Sequence, residues 1–143
     1  MGKRIYLSSK LPVVGPYSSA VEANGFIFLS GQIPLAPDTG EIISDIREAT
    51  RQVLTNMQTL LEEMGMTLSA IVKTTIFLKD MADFPAVNEI YAGFFPAEPP
   101  ARESGVFRRA GVMGIDPERR FELGQRLANL TGATQRRAKL VVV

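Results

Sequence analysis

Apolar residues change their spacing several times along this chain, and each change marks an element. Lys3-Arg4-Ile5-Tyr6-Leu7 predicts a short strand, and Leu11 to Ser18, carrying Pro12, Gly15 and Pro16, predicts a loop. Apolar stretches over 19–22 and 26–29 flank Asn24-Gly25. That dipeptide predicts a tight hairpin, because both central positions of such a turn need positive φ. Phe26 through Ile33 reads as one buried strand, and 34–40 as a turn-rich loop. Ile46, Ala49, Val53, Met57, Leu60 and Met64 then recur at steps of three and four, which predicts a helix over 45–64 with one apolar face. Asp45 and Glu48 put acids in its first turn, where the helix dipole favours them, and Gly65 stands where a capping glycine belongs.

Ile71 to Leu78 is rich in β-branched residues and reads as a strand. Asp83-Phe84-Pro85 opens a second helix, with proline in the first turn and Phe84, Val87, Tyr91 and Phe94 on the buried side. Pro96, Pro99 and Pro100 end it. Residues 105–137 show little clean alternation. Arg119 to Leu130 has a helix-compatible pattern, with Phe121, Leu123, Leu127 and Leu130 on overlapping faces, and Lys139 to Val143 reads as a strand.

This order predicts a single α+β domain spanning 1–143, built of two βαβ-like halves whose helices pack on one face of a mixed sheet. The opposite, uncovered sheet face predicts self-association. No apolar run approaches the ~18–20 residues of a membrane span. The basic start Met1-Gly2-Lys3-Arg4 is followed by too short an apolar stretch for a signal peptide. A soluble cytoplasmic protein is the expectation.

Composition narrows the chemistry. The chain has no Cys and no His, which excludes thiolate nucleophiles, thiolate metal sites, Ser-His-Asp triads and a histidine base. A metal site is not expected. There is no glycine-rich phosphate loop, EF-hand pattern or cofactor fingerprint, so no cofactor is expected either. Net charge is +1, unevenly distributed: residues 1–101 carry 7 Lys/Arg against 11 Asp/Glu, and residues 102–143 carry 9 against 4. The basic stretch admits a nucleic-acid surface or a solvated face.

Several separated motifs, in register over about residues 12–102, resemble one family. They are Gly15-Pro16-Tyr17-Ser18, Phe28-Leu29-Ser30-Gly31-Gln32-Ile33-Pro34, Thr39-Gly40, Asp45-Ile46, the run from Val72 to Met81, Phe84 to Tyr91, Phe94-Phe95 and Pro100-Ala101-Arg102. The chain resembles the Rid family, also described as the endoribonuclease L-PSP family. The resemblance implies a chorismate-mutase-like fold in a homotrimer, with the sheets forming an inner barrel, the helices outside and a cleft between each pair of neighbouring subunits. It implies cofactor-free hydrolysis of 2-aminoacrylate and related 2-imino acids to 2-keto acids and ammonia.

Residue by residue, the resemblance makes Arg102 the carboxylate anchor, since a planar guanidinium offers parallel donors. The alternative for Arg102 is a structural salt bridge at a strand start. Tyr17 would wall the cleft, or else pack as an aromatic lid. Ser30 and Gly31 would line the pocket, with Gly31 alternatively a bulge glycine. Asn88 would orient neighbouring groups, or stand as a plain helix-surface residue. Lys73 is conceivable as a Schiff-base lysine, but an extended strand more readily makes it a solvated or interface charge.

After Arg102 the family pattern is lost. The family's late-strand Val-Glu-Ile-Glu, source of its proton-transferring carboxylate, is missing, and Ser104 stands where many members carry Cys. Glu118 and Glu122 are the later acids available to replace it, with Glu118 at about the right distance from Arg102. Subfamily divergence, a reading-frame change, and strands that pattern reading misses are competing explanations. Two other functions stay open: RNA binding or ribonucleolytic inhibition of translation, and a non-catalytic subunit binding small carboxylates. Intact mass and tandem sequencing of the purified protein, expected to match 102–143 as written, test the frame-change explanation.

Overall fold

A two-residue turn sets the first half of the molecule. Asn24 and Gly25 both adopt positive φ, 52° and 78°, and fold β2 (Ala20–Ala23) back on β3 (Phe26–Leu29) with Ala23 opposite Phe26. Strand β1 (Arg4–Tyr6) pairs antiparallel on the other side of β2. The structure, a computed structural model, describes residues 2–106 and 141–142.

The expected buried strand from Phe26 to Ile33 is corrected in two ways. It ends at Leu29, and it is not buried: Phe26 and Phe28 are 63% and 64% exposed. Just past its end the Ser30 hydroxyl donates to the Ser18 carbonyl, at 2.6 Å, and the Ser30 amide donates to the Ser19 carbonyl. Its outer face joins a continuous apolar strip. Ile5, Val21 and Phe28 lie in one cross-strand row, with Leu7 and Phe26 two residues along their strands.

Helix α1 (Ile46–Glu63) begins where Asp45, as N-cap, accepts hydrogen bonds from the amides of Arg47 and Glu48, each at 3.0 Å. Gly65 follows it in the left-handed conformation, φ 74°. The predicted stripe is the buried one: Ala49, Val53, Met57 and Leu60 are buried, with Ile46 and Met64 partly so. At its end, Glu63 accepts from the Ser8 hydroxyl and from the amide and hydroxyl of Ser9, stapling the N-terminal segment to the helix.

Strand β4 (Lys73–Leu78) alternates cleanly, with Thr74, Ile76 and Leu78 buried. A 3₁₀ turn, Met81–Asp83, leads into α2 (Phe84–Phe94), which returns the chain to β5 (Ala101–Val106), parallel to β4. Strand β6 (Val141–Val142) pairs antiparallel on the other edge of β4, within the strand expected over 139–143. Both helices contribute to one core, in which Val53, Leu54, Met57, Val87 and Tyr91 pack against Ile76 and Leu78.

The architecture is α+β, with two helices and two three-stranded sheets among the described residues, ordered β1-β2-β3 and β5-β4-β6. The expected pair of βαβ halves is thereby corrected. Among the described residues only β4-α2-β5 closes by parallel pairing, because β3 runs antiparallel into its own hairpin and is not hydrogen-bonded to β4. The helix suggested over 119–130 lies outside the described residues.

Replacing the N-cap, Asp45→Ala, is expected to cost about 1 kcal/mol of unfolding free energy, read by urea denaturation. Glu63 gives a pH signature. Burial pushes its carboxyl upward, but the hydrogen bonds from Ser8 and Ser9, helped by Lys10, outweigh that and hold it below its ordinary value. A lowered carboxyl contributes stability above its unfolded value of about 4.3, lost as pH falls through the folded value. The stability advantage of wild type over Glu63→Gln should therefore be full at pH 7 and shrink progressively as the pH falls below about 5.

Candidate functional site

The parallel register of β4 and β5 sets Arg102 directly beside Thr74. Thr74 belongs to the buried row of β4, so Arg102 emerges on the face covered by α2. There its Nη2 donates to Asn88 Oδ1 at 2.8 Å. The guanidinium lies over the rings of Tyr91 and Phe84, 4.8 and 5.2 Å from their centroids. Phe84, Asn88 and Tyr91 are spaced by four and three residues, so one stripe of α2 supplies all three contacts.

Arg102 is half-buried, and among the described residues no carboxylate reaches it in an ion pair. The salt-bridge alternative finds no partner there. An oriented, half-buried cation without a fixed counter-charge suits a small anion, and the planar fork suits a carboxylate best. Asn88 is more than a helix-surface residue, since its amide oxygen holds one arm of that fork.

The other expected residues gather on the hairpin side. Tyr17 is 44% exposed, and its ring packs over Gly15, where a Cβ would come within 2.9 Å of Cε1. Tyr17 and Gly31 line one shallow cleft with Leu11, Val13, Ile33 and Asn56. The buried Asn56 side chain fixes the wall of this cleft: its amide donates to the carbonyls of Ile33 and Leu35, and its oxygen accepts from Gln52. Ser30 points its hydroxyl at the Ser18 carbonyl, and its own carbonyl accepts from the Gln32 amide.

Two half-sites result, Arg102 with Asn88 and Tyr17 with Gly31. No hydrogen bond, ion pair or ring contact among the described residues joins them. Lys73 lies on the face of β4 opposite Thr74 and pairs with Glu103 across the strands at 3.3 Å, which favours a solvated or interface charge over the Schiff base. Glu118 and Glu122 lie outside the described residues. Among those described, no three His, Cys, Asp or Glu side chains are grouped as metal ligands, and no helix is long and apolar enough to cross a membrane. Sequence reading assigned Phe84 and Tyr91 to the core and missed their second role under Arg102. The spacing 84, 88, 91 on one stripe was the available signal.

Comparison with known proteins places the chain among relatives. A family model described as Endoribonuclease L-PSP matches residues 7–119. A RutC family protein of Pyrococcus abyssi is 45% identical over 104 residues, 71% of this chain and 82% of its own. The chloroplastic Reactive Intermediate Deaminase A of Arabidopsis thaliana is 48% identical over 104 residues, 71% of this chain and 56% of its own. Among solved structures, the Rid family protein YyfA of Yersinia pestis superposes with a TM-score of 0.72 at 33% identity, covering 99% of this chain and 98% of its own. TdcF of E. coli, solved with bound serine, gives 0.71 at 28% identity, covering 97% and 94%.

Asn88→Asp tests the free-cation character of Arg102. The new carboxylate should tether the guanidinium and weaken binding of a small carboxylate probe, acetate, about tenfold, read by NMR titration, with no loss of melting temperature.

Proposed function

The chain belongs to the Rid family, and on that premise we propose that it hydrolyses reactive 2-imino acids, 2-aminoacrylate and its tautomer among them, to 2-keto acids and ammonia. The observation that carries the proposal is Arg102: half-buried, held by Asn88, laid over two aromatic rings and free of any carboxylate among the described residues. The substrate's carboxylate supplies the missing counter-charge. The serine bound to TdcF, itself a small amino acid, and the name of the Arabidopsis relative support the same substrate class.

The chemistry asks for little machinery. Water adds its oxygen to C2 of the protonated imine, the C2–N bond breaks, both water protons end on nitrogen, and ammonium leaves with a 2-keto acid behind. Arg102 fixes the carboxylate, so that C2 is presented in one orientation to the incoming water. Tyr17 and Gly31 wall the cleft, with Ser30 behind them bonded to the Ser18 carbonyl. Glu118 takes the proton-transfer role that an acid must fill in the absence of histidine. No cofactor enters this scheme.

A homotrimer completes the site. Within one copy the Arg102 and Tyr17 half-sites are unjoined among the described residues, and Ile5, Leu7, Phe26 and Phe28 face water beside the half-buried Val21. Packing such strips together in a chorismate-mutase-like barrel would bury them and bring one copy's Arg102 to its neighbour's Tyr17. Sedimentation should report trimers for wild type and monomers for Phe28→Glu, and a wild type that sediments as monomer at micromolar concentration overturns the assembly.

The deaminase reading is tested by coupling. A threonine dehydratase generates the imino acid, semicarbazide competes for it, and the purified protein is added. Wild type should outcompete the trap, whereas Arg102→Ala should lose about a hundredfold in kcat/KM and Glu118→Gln about tenfold. Retained affinity for 2-oxobutanoate without turnover in wild type would leave a binding subunit in place of an enzyme.

A further inference from the structure

Among the described residues one hydrogen bond, from Nη2 to Asn88, holds the Arg102 guanidinium, which can swing about it, and the rings beneath are what fix its plane. Of the two rings beneath Arg102, Phe84 is half-buried and carries no polar handle. Tyr91 is fixed at both ends. It is 5% exposed, its ring packs on Phe95 at 4.6 Å between centroids, and its hydroxyl shares a hydrogen bond of 2.8 Å with Thr74 Oγ1. Thr74, 1% exposed, is the residue opposite Arg102 in the parallel register. The chain of contacts is therefore closed: the β4 backbone holds Thr74, Thr74 holds Tyr91, Tyr91 underlies Arg102, and Arg102 sits on β5 beside Thr74.

A buried hydroxyl pair is not needed to fill this space. Two apolar groups of the same shape would leave stability nearly unchanged, because neither partner is then left unsatisfied. What the pair adds is a fixed rotation and depth for the Tyr91 ring. A carboxylate bound in fork geometry lies in the plane of the guanidinium. In a 2-imino acid the conjugated C=N shares that plane.

The geometry points to Tyr91, locked by Thr74, as a positioning residue. It sets the plane in which Arg102 presents its free N–H edge, and so the plane of the substrate's carboxylate and C=N. This rests on the reading that Arg102 receives the substrate's carboxylate.

The decisive variant is the double replacement Thr74→Val with Tyr91→Phe, which keeps shape and removes only the lock. Its melting temperature should stay within about 2 °C of wild type, while kcat falls about fivefold with KM within twofold, since orientation is lost and binding is kept. Tyr91→Leu, which removes the ring, should lower kcat/KM about thirtyfold. The Nε–H resonance of Arg102, assigned by its disappearance in Arg102→Lys, gives a signature independent of turnover. It should shift and broaden in the double variant. A double variant with wild-type kcat and an unmoved Arg102 resonance overturns the positioning role while leaving the deaminase reading intact. Wild-type turnover in Arg102→Lys instead sinks the site reading and the positioning role together.

Discussion

The parallel pairing of β5 with β4 is the constraint on which the site depends. A parallel neighbour cannot be reached by a tight turn, so the chain must cross over, and α2 is that crossover. The crossover sets one helix stripe above the strand pair, and the register sets Arg102 beside Thr74. Shifting β5 by one residue would turn Arg102 to the opposite face, where Lys73 and Glu103 now pair, and would put Ala101 or Glu103 under the helix. The hydrophobic row Thr74, Ile76, Leu78 and the position of the arginine are thus one decision, taken by the alternation of β4.

The other half of the molecule obeys a different constraint. Its hairpin is closed locally by Asn24-Gly25, and its inner face meets the core through the buried Ala20 and the partly buried Leu29 opposite it. Its cleft is shaped by polar ties to backbone: Asn56 to the carbonyls of Ile33 and Leu35, Ser30 to that of Ser18. Such ties hold loops in place where no ladder of strand hydrogen bonds is available.

What could be read from sequence was what is decided locally. Asp45, the apolar stripe from Ala49 to Leu60, and Gly65 bracket α1 to within a residue or two, because capping and amphipathicity act within single turns. Asn24-Gly25 located the hairpin for the same reason. The run from Phe26 to Ile33 misled, because the apolar residues stop at Leu29, where the strand ends, and Ile33 stands alone beyond Ser30-Gly31-Gln32. The division into two sheets among the described residues is a matter of long-range pairing and left no local mark. At the site, motif resemblance singled out Arg102, Asn88, Tyr17 and Gly31, but the ring floor under Arg102 went unseen. Tyr91 and Phe84 looked like ordinary core, and a ring can serve as core on one side and as a cation's support on the other.

The water-facing strip on β1, β2 and β3 bears on the life of a newly made chain. Ile5, Leu7, Phe26 and Phe28 are each more than half exposed in a single copy. In the proposed trimer that surface is shielded only after copies collide, a step whose rate rises with concentration, whereas the folding that creates the strip is unimolecular. Every fresh chain then passes through an interval in which its stickiest surface is open to any apolar partner. Synthesis from clustered ribosomes shortens that interval, and sparse expression lengthens it. For the proposed trimer, the fraction assembled rises with local concentration.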